Sequence, residues 1–338
     1  MNFYDKIGYL DFEKVLKNSS TFNFICGGRG TGKTFSALKY VYENEIPFIF
    51  IRAMKNQIET VATELLNPFK PLEHEYGYNV KVQTIIKNVR GFYDVQENES
   101  GIVNKKLIGI AVALSDFSSL RGIDVADYDC IIFDEFIPKE GEVVRGNWGR
   151  QLADFYETAN RNRELSGRDP IKVFCLANSN NIANSVFFEF GLMKKAIDMS
   201  RNKQTYAKME GKEKAVFFLG DSPISRKKAQ TALYKALGDN SDYADMAIEN
   251  IFEGVDSRGV KSLPYNQLRP LIRCGELCVY DTQYGFYISD KAFMKLESVN
   301  LATFKRWYSD IVNSILFDHC IYESINAKVL ARAFLRIQ

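Results

Sequence analysis

The chain has 338 residues, 46% hydrophobic and 25% charged, the composition of a globular protein long enough for two domains. Forty-four Lys and Arg stand against 42 Asp and Glu, so a net charge of +2 neither requires nor excludes a nucleic-acid partner and leaves any basic surface local. Six scattered cysteines and two histidines lack the paired spacing of a zinc site, and no apolar run approaches a membrane span. Cys26, Cys130 and Cys175 lie inside apolar runs and read as reduced thiols of a cytosolic protein. Met1 to Leu16 carries Asp5, Asp11 and Glu13 without an apolar h-region, so no signal peptide is expected.

Residues 1–20 read as a short helix and a lead-in. Phe22 to Cys26 then reads as a short buried strand, followed by Gly27-Gly28-Arg29-Gly30-Thr31-Gly32-Lys33-Thr34, which fits G-x-x-x-x-G-K-[ST] at every fixed position. Thr34 to Asn44 has Phe35, Leu38, Val41 and Tyr42 at helical spacing. Strand, glycine loop and helix are the context this motif needs. Glycines let backbone N–H groups wrap phosphate oxygens, and the helix aims its N-terminus at the same anion. Lys33 is expected at the β- and γ-phosphates of ATP, and the Thr34 hydroxyl on Mg²⁺.

Pro47 to Ile51 is a continuous apolar strand of the kind buried on both faces, and Arg52 ends it. Residues 55–67 have helical spacing and stop before Pro68. Val80–Ile86, Gly91–Val95 and Leu107–Leu114 read as a β-meander with turns at Asn88–Arg90 and Glu97–Asn104.

Cys130-Ile131-Ile132-Phe133-Asp134-Glu135 is a buried strand ending in two carboxylates, the Walker-B pattern. Ligands bind at the carboxyl ends of open parallel sheets, so Asp134 is the expected Mg²⁺ holder and Glu135 the group that polarises the attacking water. Leu152 to Arg163 reads as a helix ending in Asn160-Arg161-Asn162-Arg163-Glu164. Ile171 to Ala177 is another buried strand with Asn178 at its carboxyl end. Asn178 there either senses the γ-phosphate or caps the next turn.

Residues 194–239 hold eleven Lys or Arg, among them Arg226-Lys227-Lys228, against five acids; residues 240–257 hold five acids and no base. This shift reads as a linker or hinge, whose basic cluster is either a nucleic-acid contact or a solvated helix face. Leu277–Asp281 and Phe286–Ile288 form a hairpin across Thr282–Gly285, and Ala327 to Leu335 reads as an amphipathic helix.

Gly27–Thr34, Ile131–Phe136, Arg161-Asn162-Arg163-Glu164 and Leu176-Ala177-Asn178 together resemble the DNA-packaging ATPase of phi-29-type tailed phages, through to the closing Leu335-Arg336-Ile337-Gln338. Leu120-Arg121-Gly122 is similar to large terminase subunits in general. The resemblance implies an α/β P-loop NTPase of the additional-strand, conserved-glutamate class. It implies a ring motor, typically a pentamer, that drives double-stranded DNA into the prohead at the portal vertex, in the host cytoplasm. It implies Arg161 as an arginine finger supplied across the subunit interface, with Arg163 the other candidate, and in some relatives a packaging RNA. The C-terminal domain implied is mixed α/β and similar to RNase H, without nuclease activity, and Asp281 is expected on its first strand. The expected division is an ATPase domain over 1–197, a basic linker over 198–228 and the RNase H-like domain over 229–338.

The alternatives are another P-loop nucleic-acid motor, such as a helicase, and a small-molecule kinase. A kinase wants a lid and acceptor pocket close to the loop, where this chain has a meander. A helicase wants coupling motifs in a second ATPase-like domain, and the C-terminal half has neither P-loop nor Walker B.

Overall fold

The computed structural model describes all residues except 62, 64–65, 99–100, 117–124, 126, 140–141, 143–145, 180–181, 183, 221, 238–258 and 337–338. The Leu120-Arg121-Gly122 signal, the acidic stretch 240–257 and the last two residues therefore lie largely or wholly outside the described residues, as does the side chain of Arg226. The chain divides into two units. One comprises Met1–Ile137, Gln151–Ser179 and Thr205–Ile251; the other comprises Pro138–Arg150, Asn180–Gln204 and Phe252–Gln338.

The first unit is built on a sheet of nine strands: β1 (Phe22–Gly27), β2 (Phe48–Arg52), β3 (Val80–Ile86), β4 (Val89–Asn98), β5 (Gly101–Ala113), β6 (Cys130–Asp134), β7 (Lys172–Asn178), β8 (Tyr206–Met209) and β9 (Lys214–Phe218). Their spatial order is β3-β4-β5-β2-β6-β7-β1-β9-β8. The six consecutive strands β5-β2-β6-β7-β1-β9 run parallel to one another, and β3, β4 and β8 are antiparallel additions. β1, β2 and β6 are buried almost end to end, which is why their sequences are apolar runs rather than alternations. β7 lies between the glycine-loop strand β1 and the acid-pair strand β6, so the sheet carries the additional strand of that P-loop class.

Two expectations change. The meander is not a separate insert, because β5 pairs with β4 on one side and with β2 on the other, so its inner half belongs to the parallel core. The segment expected as a basic linker over 198–228 supplies β8 and β9, and β9 pairs with β1 from Phe22↔Lys214 to Cys26↔Phe218. Ala215 to Leu219 is an unbroken apolar run, and burying it offsets the surrounding charge. The boundaries of the two units accordingly fall elsewhere than at 197/198 and 228/229.

The helices of the first unit are α1 (Phe12–Lys17), α2 (Lys33–Glu43), α3 (Lys55–Val61), α4 (Lys70–Tyr76), α5 (Trp148–Asn160, of which 151–160 belong here) and, following α6 (Ser185–Glu189) and α7 (Met193–Arg201) of the second unit, α8 (Pro223–Ala229) and α9 (Ala232–Leu237). Ala37, Leu38 and Val41 of α2 pack into a core with Phe12, Phe48, Phe50, Phe69, Phe92 and Phe174. Each such buried aromatic contributes roughly 1.5–3 kcal/mol, enough together to hold the loops at the strand ends.

The second unit has a five-stranded sheet of β10 (Arg269–Cys274), β11 (Leu277–Thr282), β12 (Gly285–Ser289), β13 (Ser298–Val299) and β14 (Ile321–Tyr322), in the order β13-β10-β11-β12-β14. β10, β11 and β12 are antiparallel; β13 joins β10 and β14 joins β12 in parallel. The expected mixed α/β character is present. Asp281, however, lies on the second strand of this sheet, β11, and not on the first.

Candidate nucleotide site

The phosphate-loop motif begins at the last residue of β1 and ends in the first turn of α2, which starts one residue earlier than its periodicity suggests. Gly30 and Gly32 have φ of +73° and +78°, and Gly32 is the N-cap of α2. A Cβ at either position is strained, so the loop reverses only with glycine there. Thr31 is buried and its hydroxyl donates to the Gly28 carbonyl at 3.0 Å, pinning the loop from inside.

Lys33 is buried beneath this loop. Its ammonium donates to the carbonyls of Gly27 (3.0 Å) and Gly28 (2.8 Å) and to Asn178 Oδ1 (3.2 Å). Burial pulls its pKa down to about 8, opposed by Cys26, Asp134 and Glu135 and reinforced by Lys228. Asn178 ends β7 opposite Gly27 of β1, so the parallel register itself delivers its amide to Lys33. Next to it, Ser179 Oγ is fully buried with no hydrogen-bond partner among the described residues, an orphaned donor at the same strand end.

Thr34 donates its hydroxyl to Asp134 Oδ1 at 2.8 Å, joining the loop to the acid pair. Burial pushes the Asp134 carboxyl up, while Arg52 and the Thr34 hydroxyl oppose the shift. Glu135 has φ of +58°, in the left-handed region that costs a side-chain-bearing residue on the order of 1 kcal/mol or more. The chain recovers at once: Phe136 is fully buried and its N–H donates to Leu176 of β7 at 3.2 Å. Glu135 thus turns away just past the carboxyl end of β6, between two anchored residues.

Arg52 is the site residue that the motifs miss. It lies beside Asp134 because β2 neighbours β6, with Ile51 opposite Phe133. Its guanidinium holds Asp134 Oδ2 at 2.7 Å and Glu135 Oε2 at 2.5 Å, and its Nε is buried without a hydrogen-bond partner among the described residues. The sequence marks it only as a charge closing an apolar strand. A second unforeseen cation is Lys228 of α8, whose ammonium donates to the Arg29 carbonyl at 2.5 Å.

Lys33, Thr34, Asp134, Glu135 and Asn178 come together as expected. Arg161 and Arg163 do not join them. Ile171, just before β7, donates to Asn160 Oδ1 at 3.0 Å, which ties the end of α5 to the amino ends of the strands, about 20 Å from the loop across seven residues of β7. Arg161 and Asn162 there have φ of +42° and +57°, and Arg161 is exposed. Arg163 is buried and holds the Tyr128 carbonyl (2.8 Å) and Asp129 (2.5 Å) just ahead of β6, a placement that does not suit a finger reaching another molecule.

A buried ammonium under a glycine loop and hard oxygen donors on Thr34 and Asp134 suit a polyphosphate with a magnesium ion. The raised Asp134 carboxyl is a group whose charged form a cation favours. Among the described residues no group of three or more His, Cys, Asp and Glu could hold a metal by itself, and no helix is long and apolar enough to cross a membrane.

The DNA packaging protein of Bacillus phage phi29 is 26% identical over 277 residues, covering 78% of this chain and 74% of that protein. The solved Phi-28 gp11 DNA packaging motor has a TM-score of 0.60 at 16% identity, over 96% of this chain and 97% of that one. The bacteriophage Phi-29 viral genome packaging motor assembly has 0.56 at 18% identity, over 97% and 98%. At such identities the structural likeness speaks for the fold. The sequence profile of the podovirus DNA encapsidation protein (Gp16) matches residues 4–262, more than half of the chain and all of the nucleotide-site residues, and the chain belongs to that family.

Proposed function

We propose that this protein is an ATP-driven motor that moves double-stranded DNA into a phage prohead, acting as a homo-oligomeric ring, a pentamer, at the portal vertex in the host cytoplasm. The observation that carries the reading is the convergence of Lys33, Thr34–Asp134 and Glu135 at the carboxyl ends of adjoining strands, in a chain of the DNA encapsidation family. The relatives' name, DNA packaging protein, supplies the substrate class.

Lys33 exchanges its carbonyl partners for phosphate oxygens of ATP, and the loop N–H groups of residues 27–34 cradle the same group. Thr34 and Asp134 would hold a magnesium ion, which would neutralise developing phosphate charge. Glu135 orients the attacking water and takes up its proton, and Asn178 hydrogen-bonds near the terminal phosphate. Arg52 holds the two carboxylates side by side, since each lies within ion-pair distance of one guanidinium. Arg161, exposed at the far end of the sheet, serves the site of the neighbouring copy. The second unit is a non-cleaving RNase H-like domain, a reading supported by its three antiparallel strands with β13 added in parallel.

The test is ATP hydrolysis by the purified chain with and without double-stranded DNA, and packaging with a matching prohead. Stimulation by duplex DNA and ATP-dependent protection of DNA from nuclease are expected. ATP turnover indifferent to DNA and to prohead would refute the motor reading.

A further inference from the structure

One cation beyond the motif lies on the phosphate loop. Lys228, in the last turn of α8, donates to the Arg29 carbonyl at 2.5 Å, and a Cβ built on Gly30 would come within 2.2 Å of its ammonium. Its charge therefore rests on the tip of the loop, where the sequence suggested a solvated face or a DNA contact. α8 is tied to the loop by a second route. Ser222, its N-cap, donates to the Gly8 carbonyl at 2.5 Å; two residues on, Leu10 N–H donates to Thr31 O at 2.9 Å and Leu10 O accepts from Ser36 Oγ at 2.7 Å. Residues 8–10, the loop and α8 thus form one hydrogen-bonded assembly inside the first unit.

Three positive groups meet there: Arg29, Lys33 and Lys228. Burial lowers the Lys228 pKa and the Arg29 charge lowers it further. A solvated lysine turns its ammonium to water and costs nothing. This one is half-buried against like charges, a cost that a multiply charged anion in the loop offsets.

We propose that Lys228 is a further phosphate-binding residue of this site, its ammonium passing from the Arg29 carbonyl to the terminal phosphate of a nucleoside triphosphate held in the loop. The proposal rests on the reading of the loop as a nucleotide site. It makes α8 the element that registers whether the terminal phosphate is present, and links that state through Ser222 to residues 8–10.

The experiment titrates the full-length chain with fluorescent ATP and ADP analogues in the presence of magnesium, comparing wild type, Lys228→Ala, Lys228→Arg and Lys33→Ala. Lys228→Ala should weaken ATP binding by about tenfold, the scale of one charge-assisted hydrogen bond, and change ADP binding by less than about twofold. Lys228→Arg should recover most of the ATP affinity. If thermal melting shows Lys228→Ala unfolded, Lys228→Gln, which keeps the stem, takes its place. Unchanged ATP affinity, or equal losses for ATP and ADP, would overturn the proposal while Lys33→Ala still bound weakly. A wild-type chain binding neither nucleotide would overturn the proposal and the nucleotide reading of the loop together.

Discussion

The two ends of the parallel sheet in the first unit each hold an arginine against an aspartate, and they do different work. At the carboxyl ends Arg52 bridges Asp134 and Glu135, one nearly fully buried and the other in a left-handed backbone. At the amino ends Arg163 joins the Tyr128 carbonyl to Asp129, whose side chain is 54% exposed. The first arrangement keeps charges crowded, with Arg52 Nε and Ser179 Oγ lacking hydrogen-bond partners among the described residues. Arg163 Nε likewise lacks a partner among the described residues, but its carboxylate partner is mostly exposed to water. Four ionisable side chains, Lys33, Arg52, Asp134 and Glu135, crowd together where the strand ends open onto the glycine loop, as expected of a site that must bind and react. The amino end closes the core.

The widest break in this comparison is Arg161, which lies at the quiet end yet is proposed to act. Arg161→Ala should slow hydrolysis by about 10³–10⁵-fold. Mixed with an inactive Glu135→Gln protein it should regain activity, because some interfaces then pair an intact site with an intact finger. No recovery in verified mixed rings would return Arg161 to the structural end. Glu135→Gln alone should lose about 10²–10⁴-fold in hydrolysis while nucleotide affinity stays near wild type, since proton transfer is lost and the phosphate cradle is not. A comparable loss of binding, measured by titration, would make Glu135 a structural residue.

The crossed pair Arg52→Ala and Arg163→Ala sharpens the contrast. Arg163→Ala should lower stability by about 1–3 kcal/mol, read from denaturant midpoints, with turnover per folded molecule preserved. Arg52→Ala should reduce turnover through the uncompensated pair Asp134 and Glu135. Equal loss of turnover in both would erase the distinction between the ends. The smallest effect is expected from Asp129→Asn, below about 1 kcal/mol, because that carboxylate is mostly exposed and its pairing is screened by water. A larger change in melting would show that the amino end too depends on charge.

Much of the nucleotide site is legible before any coordinates because its parts are local. The glycine loop needs positive φ at Gly30 and Gly32, and the acids must follow an apolar strand, so short stretches carry Lys33, Thr34, Asp134 and Glu135. The apolar runs also place β1, β2, β6 and β7, because strands buried on both faces have no other composition to adopt. What the tertiary structure decided was neighbourhood. Arg52 became a partner of both acids only because β2 lies beside β6, with paired residues 82 positions apart from Phe48↔Cys130 to Ile51↔Phe133. The basic segment hid β8 and β9 because its charges outnumber the short run Ala215–Leu219, whose burial against β1 no local pattern announces. Lys228 reached the loop, and Arg163 turned inward, through contacts spanning 199 and 35 residues. Local backbone geometry is written in adjacent residues, whereas the pairing of charges across a sheet depends on strand order, which is set by the packing of the whole core.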